Sequence, residues 1–148
     1  MKASEIMTTH VVRLSPDCTI GEAVRRFEET NFQSFPIVDE KGILIGTLNI
    51  WRILRKVIPP YIASGQLTSV RFAPELEILH ERLGLLRSKP VTTIMNKNPP
   101  VIRSDCSVLE CATVMVNAPK KIHVLPVVDE HMKLLGIVTP FDLIKEID

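Results

Sequence analysis

The sequence predicts an α/β (α+β) fold made of two copies of one β-α-β-β-α unit, and three observations predict it. Pro36-Ile37-Val38-Asp39-Glu40, followed by Leu44 and Gly46, recurs as Pro126-Val127-Val128-Asp129-Glu130, followed by Leu134 and Gly136, at an offset of 90. Upstream, Ile6-Met7, Asp17-Cys18 and Glu22 recur as Ile94-Met95, Asp105-Cys106 and Glu110 at an offset of 88. In both copies a stretch of helical spacing is followed by two short apolar runs that suit strands. The offsets differ by a two-residue insertion near residues 118–121. One unit is too short to bury a core alone. Two units stacked about a pseudo-two-fold axis bury one, and the clefts between them are natural ligand sites.

The elements follow in order. A short lead-in helix ends near Met7, and residues 11–14 (Val11, Val12, Arg13, Leu14) form a β-prone run. Ser15-Pro16-Asp17 is turn chemistry. Thr19 caps the next helix and Glu22, three residues on, completes a capping box. Ile20, Ala23, Val24 and Phe27 then share one face of a helix that ends near Asn31. Residues 35–38 read as a buried strand, 39–42 as a turn and 43–48 as its hairpin partner. Asn49 caps a closing helix over residues 50–57, which Pro59-Pro60 ends.

The second copy keeps the plan. Val101-Ile102 is its first strand, and Ser107 with Glu110 predicts a second capping box. Val108, Cys111, Ala112 and Met115 make the helical stripe, and residues 123–128 and 134–138 are the strands. Thr139 caps the last helix, and Pro140 opens it at a position that favours proline. The domain boundaries expected are 1–57 for the first repeat, 58–90 for a helical insert and 91–148 for the second repeat. Gly65 and Pro74 break the insert. After them Leu76, Leu79, Leu83 and Leu86 form one apolar stripe, suited either to packing on its own domain or to a subunit or partner contact.

Composition excludes several classes. A net charge of +1 gives no field that would draw nucleic acid or a membrane surface. Cys18, Cys106 and Cys111 are too few and wrongly spaced for a disulfide framework or a zinc site. His10, His80, His123 and His131 are scattered, and no phosphate-cradling glycine loop or paired catalytic carboxylates stand out. Cys18 and Cys106 precede helices, where a thiol pKa can fall; a small side chain at a turn is the plainer reading. With a polar N-terminus and no apolar run long enough to span a bilayer, a cytoplasmic location is expected, and no enzyme activity.

The early Ile-Met, the Ser-Pro-Asp turn, the Pro-Val-Val-Asp strand end and Gly136-Ile137-Val138-Thr139-Pro140-Phe141-Asp142 together resemble the CBS domain, and the tandem resembles a Bateman module. The resemblance covers residues 1–57 and 91–148. It implies two units packed sheet to sheet, enclosing two clefts that bind adenosine-containing ligands such as AMP, ADP, ATP or S-adenosylmethionine. It also implies a regulatory module that dimerises and acts on a partner protein.

For such a ligand the second repeat offers a set of contacts. Asp142 matches the family's ribose-binding carboxylate. The Thr139 hydroxyl and the N–H groups after it, beginning at Pro140, suit a phosphate at a helix N-terminus. His123 and Lys121 are further phosphate contacts. Val124, Leu125 and Pro126 suit the base pocket, with Val101 and Ile102 as its opposite wall. Each has a structural alternative: an N-cap for Thr139, a favourable helix-start charge for Asp142, a half-buried histidine for His123 and plain core for the apolar residues.

The first repeat departs from this pattern. Asn49 stands where Thr139 does, and Arg52 stands where Asp142 does. A guanidinium cannot accept a hydrogen bond from ribose hydroxyls. That cleft is expected to be empty or to bind differently, with Arg52 holding an anion or serving structure. Trp51 suits helix or subunit packing better than base stacking. The reading that follows is a regulatory pair binding one adenine nucleotide per chain in the Asp142 cleft as a homodimer. Its rival is an interaction module that binds no nucleotide and uses the dimer surface and the 58–90 helix.

Overall fold

The computed structural model describes residues 1–60 and 76–148. The expected breaks at Gly65 and Pro74 lie outside the described residues. The fold is mixed α/β, with two related units about a pseudo-two-fold axis.

In the first unit, α1 (Ala3–Ile6) precedes α2 (Ile20–Thr30), β1 (Ser34–Val38), β2 (Leu44–Asn49) and α3 (Ile50–Val57). The capping box forms as the sequence predicts: Thr19 Oγ1 accepts the Glu22 N–H at 3.2 Å, and Glu22 Oε2 accepts the Thr19 N–H at 3.3 Å. The helix stops at Asn31, which takes the left-handed conformation. Ile20, Ala23 and Phe27 of α2 are buried with Phe35, Ile37 and Leu48 of the hairpin. The rings of Phe27 and Phe35 pack tilted, with centroids 4.6 Å apart.

The second unit holds β3 (Ile102–Arg103), α5 (Val108–Asn117), β4 (Leu125–Val128), β5 (Leu134–Val138) and α6 (Pro140–Ile147). Between the units lies α4 (Leu76–Leu86). Its Leu79, Leu83 and Leu86 pack on the first unit's core, while Leu76 is 77% exposed. Arg82 ties it down, donating from Nε to the Val57 carbonyl at 2.6 Å and from Nη2 to that of Lys56 at 3.2 Å.

One expected strand is shorter than predicted and another is displaced by one residue. The β-prone run at 11–14 makes one parallel rung, Leu14 to Ile37, and β3 holds two residues, one along from the predicted Val101-Ile102. Proline stops both pairings from extending upstream. The next rung would need an N–H from Pro36 or Pro126, and proline has none. The second capping box is half formed: Ser107 Oγ accepts the Glu110 N–H at 3.1 Å, without the return bond. The Glu110 carboxylate instead faces the Cys106 thiol.

The lead-ins are exchanged between the units. Ala3, Ile6 and Met7 pack into the second unit's core, whereas Val91, Ile94 and Met95 pack into the first's. The Ala3 N–H donates to the Cys106 carbonyl at 2.7 Å, and the equivalent Val91 N–H to that of Cys18 at 2.8 Å. Thr8 then pairs with Ile137, and Asn96 with Thr47, by reciprocal backbone bonds of 2.8–3.0 Å. These pairs cover the outer edges of β5 and β2, which would otherwise present unpaired backbone groups. At the axis the sheets meet through Val38, Leu44, Val128 and Leu134, with the Leu44 N–H donating to Met132 and the Leu134 N–H to Gly42.

Candidate functional site

The exchange of lead-ins builds two cavities, each with walls from both units. One lies beside Thr139 and holds about 300 Å³. Thr8, His10, Val11 and Val12 reach it from the first lead-in, Ser34 and Pro36 from β1, and His123, Val124 and Ile137 from the second unit. Its volume is at the lower end of ligand pockets, and its walls are mainly apolar with a few polar groups.

Thr139 stands at the junction of β5 and α6, where the chain turns from sheet to helix. Its Oγ1 accepts the Asp142 N–H at 3.2 Å, and Asp142 Oδ2 accepts the Thr139 N–H at 2.9 Å. Both capping readings therefore hold for these residues. The cap also changes which donors the helix start offers. Pro140 has no N–H, that of Asp142 is used by Thr139 Oγ1, and that of Leu143 goes to the Thr139 carbonyl at 3.3 Å. Phe141 supplies the remaining first-turn N–H, and the Thr139 hydroxyl proton stays available. Asp142 Oδ1 accepts no hydrogen bond among the described residues.

The other residues singled out in the sequence divide. His123 and Val124 line the Thr139 cavity; Pro140 and Asp142, in the first turn of α6, follow Thr139 in the chain but are not among its lining residues. Leu125 and Pro126 are buried in β4, and Ile102 is buried in the second unit's core. Val101 packs at the axis with Val128 and Leu134. The wall opposite Thr139 is therefore Val11 and Val12, and not Val101 and Ile102. The reason is the exchange, which puts the first strand run of one unit across from the closing helix of the other. Phe32 and Gln33 also line this cavity and carried no sequence signal toward it. Thr8 had one, since it follows the repeated Ile-Met.

Lys121 belongs to the second cavity, of about 330 Å³, together with Asn49, Arg52, Arg55 and Lys120. Ser34, His123 and Val124 line both cavities. Asn49 caps α3, accepting the Arg52 N–H at 2.9 Å. The Arg52 side chain donates from Nε to the Ile94 carbonyl at 2.7 Å and from Nη2 toward that of Met95 at 3.5 Å. It thus clamps the exchanged lead-in through carbonyls. Trp51 is 51% exposed and lines neither cavity.

The thiols are not activated. Burial, helped by the Glu22 carboxylate, pushes Cys18 up to about 11, and burial also raises Cys106 and Cys111. Desolvation outweighs the helix N-terminus that would favour a thiolate. No described helix is long and apolar enough to cross a membrane.

Known proteins share this arrangement. The CBS-domain family model matches residues 3–59 and 91–148. An uncharacterized protein of Methanocaldococcus jannaschii is 26% identical over 147 residues, covering 98% of this chain and 43% of that protein. The chain spans less than half the length of the first curated relatives it matches. Among solved structures, CBSX2 in complex with AMP superposes with a TM-score of 0.74 at 19% identity, covering 99% of this chain and 95% of the other. The CBS-domain pair of MJ0100, in complex with 5′-methylthioadenosine and S-adenosyl-L-methionine, superposes with a TM-score of 0.68 at 23% identity, covering 99% and 95%. With the family pattern matched in both units and the same fold in these structures, the chain belongs to the CBS-domain family as a tandem pair.

Proposed function

We propose that this chain is a regulatory CBS pair that binds one adenosine-containing ligand, of the AMP, ADP, ATP or S-adenosylmethionine kind, in the cavity beside Thr139. The observation that carries the reading is the half-used Asp142 carboxylate. Oδ2 is committed to the cap on Thr139, which lines the apolar cavity, and Oδ1 is left to accept from a ribose diol. The Thr139 hydroxyl and the Phe141 N–H are the phosphate donors of this site. Val11, Val12, Val124 and Ile137 are the walls for the base. Structures of family members with AMP, 5′-methylthioadenosine and S-adenosylmethionine support the ligand class.

The cavity is walled by both units, so a bound ligand favours one arrangement of them. It shifts that equilibrium only by its difference in affinity for the two states. A partner protein reads the arrangement, and the chain itself has no catalytic role. The exposed apolar side chains of α6, Phe141, Ile144 and Ile147, are the surface for a homodimer contact. The rival reading, a module that binds no nucleotide, is weakened at α4, where three of the four leucines of the stripe are spent on the chain's own core.

The test is thermal unfolding of wild type, Asp142→Ala and Asp142→Asn against AMP, ADP, ATP, S-adenosylmethionine and NADH. A ligand at one hundred times its Kd adds about 2.7 kcal/mol. At roughly 2–4 °C per kcal/mol, that is a shift of about 5–10 °C. Asparagine keeps an acceptor for the Thr139 N–H, so Asp142→Asn separates the cap from the carboxylate. The shift is expected in wild type and at least tenfold weaker binding, by about 1.4 kcal/mol or more, in both variants. A wild type that no adenosine ligand stabilises overturns the reading.

A further inference from the structure

We infer that Arg52 is a built-in latch: it fastens the second lead-in to the first unit without a ligand, so the module pivots there and the Thr139 side is the side that moves. Among the described residues, α2, α3, α5 and α6 each open on a side-chain cap. Three of these helices carry an acid three residues after the cap: Glu22 in α2, Glu110 in α5 and Asp142 in α6. In α3 that position is Arg52, and its first turn holds no acid. A cation beside the positive end of a helix is unfavourable. A local rule broken in this way points to a compensating contact. Here the contact is long-range: the guanidinium donates across to the Ile94 and Met95 carbonyls of the exchanged lead-in.

The other crossing has no such bridge. Asp142, at the matching position, turns back to the Thr139 N–H of its own helix. The matching carbonyls, of Ile6 and Met7, accept no side-chain hydrogen bond among the described residues. Both crossings share the reciprocal backbone pair and the close glycine, so the guanidinium is the main difference between them. Burial follows the same asymmetry. Ile94 is buried and Asn96 half-buried, whereas Ile6 is half-buried and Thr8 exposed. A charged donor makes a stronger hydrogen bond than a neutral one, and the planar guanidinium loses little freedom in making it. Both cavities have walls from both units, so a change in the units' arrangement must loosen one crossing or the other. The crossing that Arg52 holds serves as the hinge, and the Thr8–Ile137 crossing takes the motion.

The latch stands apart from the proposed function; only the direction of ligand-driven motion rests on that reading. The test is amide hydrogen exchange, read by NMR, in wild type, Arg52→Met and Arg52→Lys. Methionine keeps an apolar stem and removes the donors, and lysine keeps the charge with a single-point donor. Without ligand, Arg52→Met is expected to speed exchange at Asn96 and Thr47, the paired amides of the latched crossing, by at least about tenfold. Thr8 and Ile137 are expected to stay as in wild type, and Arg52→Lys to fall between the two. The α3 amides are not expected to loosen, since the change removes a cation from that helix start. Unchanged exchange at Asn96 and Thr47 overturns the latch. An equal rise at Thr8 and Ile137 also overturns it, because the loss would then be of the whole fold. AMP is the ligand probe. In wild type it is expected to alter protection at Thr8 and Ile137 and to leave Asn96 and Thr47 as they were; in Arg52→Met it is expected to alter both pairs. Equal changes at both crossings in wild type overturn the pivot. If AMP alters no amide in wild type, the nucleotide reading fails, and the ligand-free comparison still decides the latch.

Discussion

Met7 lies against the backbone of Gly136, in the other unit. A Cβ at Gly136 would sit 2.8 Å from Met7 Sδ and 2.7 Å from the Thr8 carbonyl oxygen. Gly46 stands in the same relation to Met95 and Asn96, at 2.7 Å from each. The repeated Ile-Met and the repeated glycine are thus two halves of one crossed contact, and that contact brings Val11 and Val12 opposite Thr139.

Gly46→Ala and Gly136→Ala are each expected to destabilise the fold by about 1–3 kcal/mol, the usual cost of overpacking. Urea unfolding reads the change. In a Met7→Ala background, which carries its own packing loss, Gly136→Ala is expected to cost less but still something, since a backbone oxygen remains in the way. No remaining cost would mean that the sulfur alone sets the fit.

The helices, hairpins and caps were legible because each rests on local chemistry. Thr19 with Glu22 and Thr139 with Asp142 close their capping boxes, and residues 50–57 form a helix behind Asn49. The cavity walls were not, because the exchange of lead-ins is a long-range event with no trace in spacing. Reading each repeat as self-contained set Val101 and Ile102 against Thr139 and assigned Lys121 to the same cleft. The equivalence of Gly46 and Gly136 was visible; what each glycine makes room for was not.

Met132 is a test of turn chemistry. It takes φ +66°, and its counterpart Gly42 takes +85°. A side chain in the left-handed region costs roughly 1–2 kcal/mol, which glycine avoids at some cost in chain entropy. Met132→Gly is expected to stabilise the fold by about 0.5–1 kcal/mol in denaturant unfolding. A loss of stability would show that the half-exposed methionine contributes packing that outweighs its strain.

Cys18 gives a pH signature. Its thiol is raised from 9.0 to about 11 in the fold, first by burial and then by Glu22. The folded state therefore holds this proton more tightly than the unfolded chain. The associated stability is complete below about pH 9 and is lost as pH rises from 9 toward 11. Wild type is expected to lose more stability across that interval than Cys18→Ser, and alkylation of Cys18 to accelerate up to about pH 11. Half-maximal alkylation near the ordinary thiol value would contradict the assignment.

Arg82 fastens α4 to the end of α3 through the Val57 and Lys56 carbonyls. Arg82→Met keeps the apolar stem and removes the guanidinium. A loss of about 1–2 kcal/mol is expected in thermal or urea unfolding. Hydrogen exchange is expected to rise in residues 76–86 ahead of the rest of the first unit. Uniform exchange across both units would show that α4 is not held separately.

The most direct measurement is methyl NMR of the intact chain titrated with AMP. The account predicts saturable shifts at Val11, Val12 and Ile137, which line this cavity alone, reaching one ligand per chain and lost in Asp142→Asn. An AMP titration that moves none of these methyls, or that moves only Ile122 in the cavity beside Arg52, would contradict the assignment of the nucleoside to the Thr139 cavity.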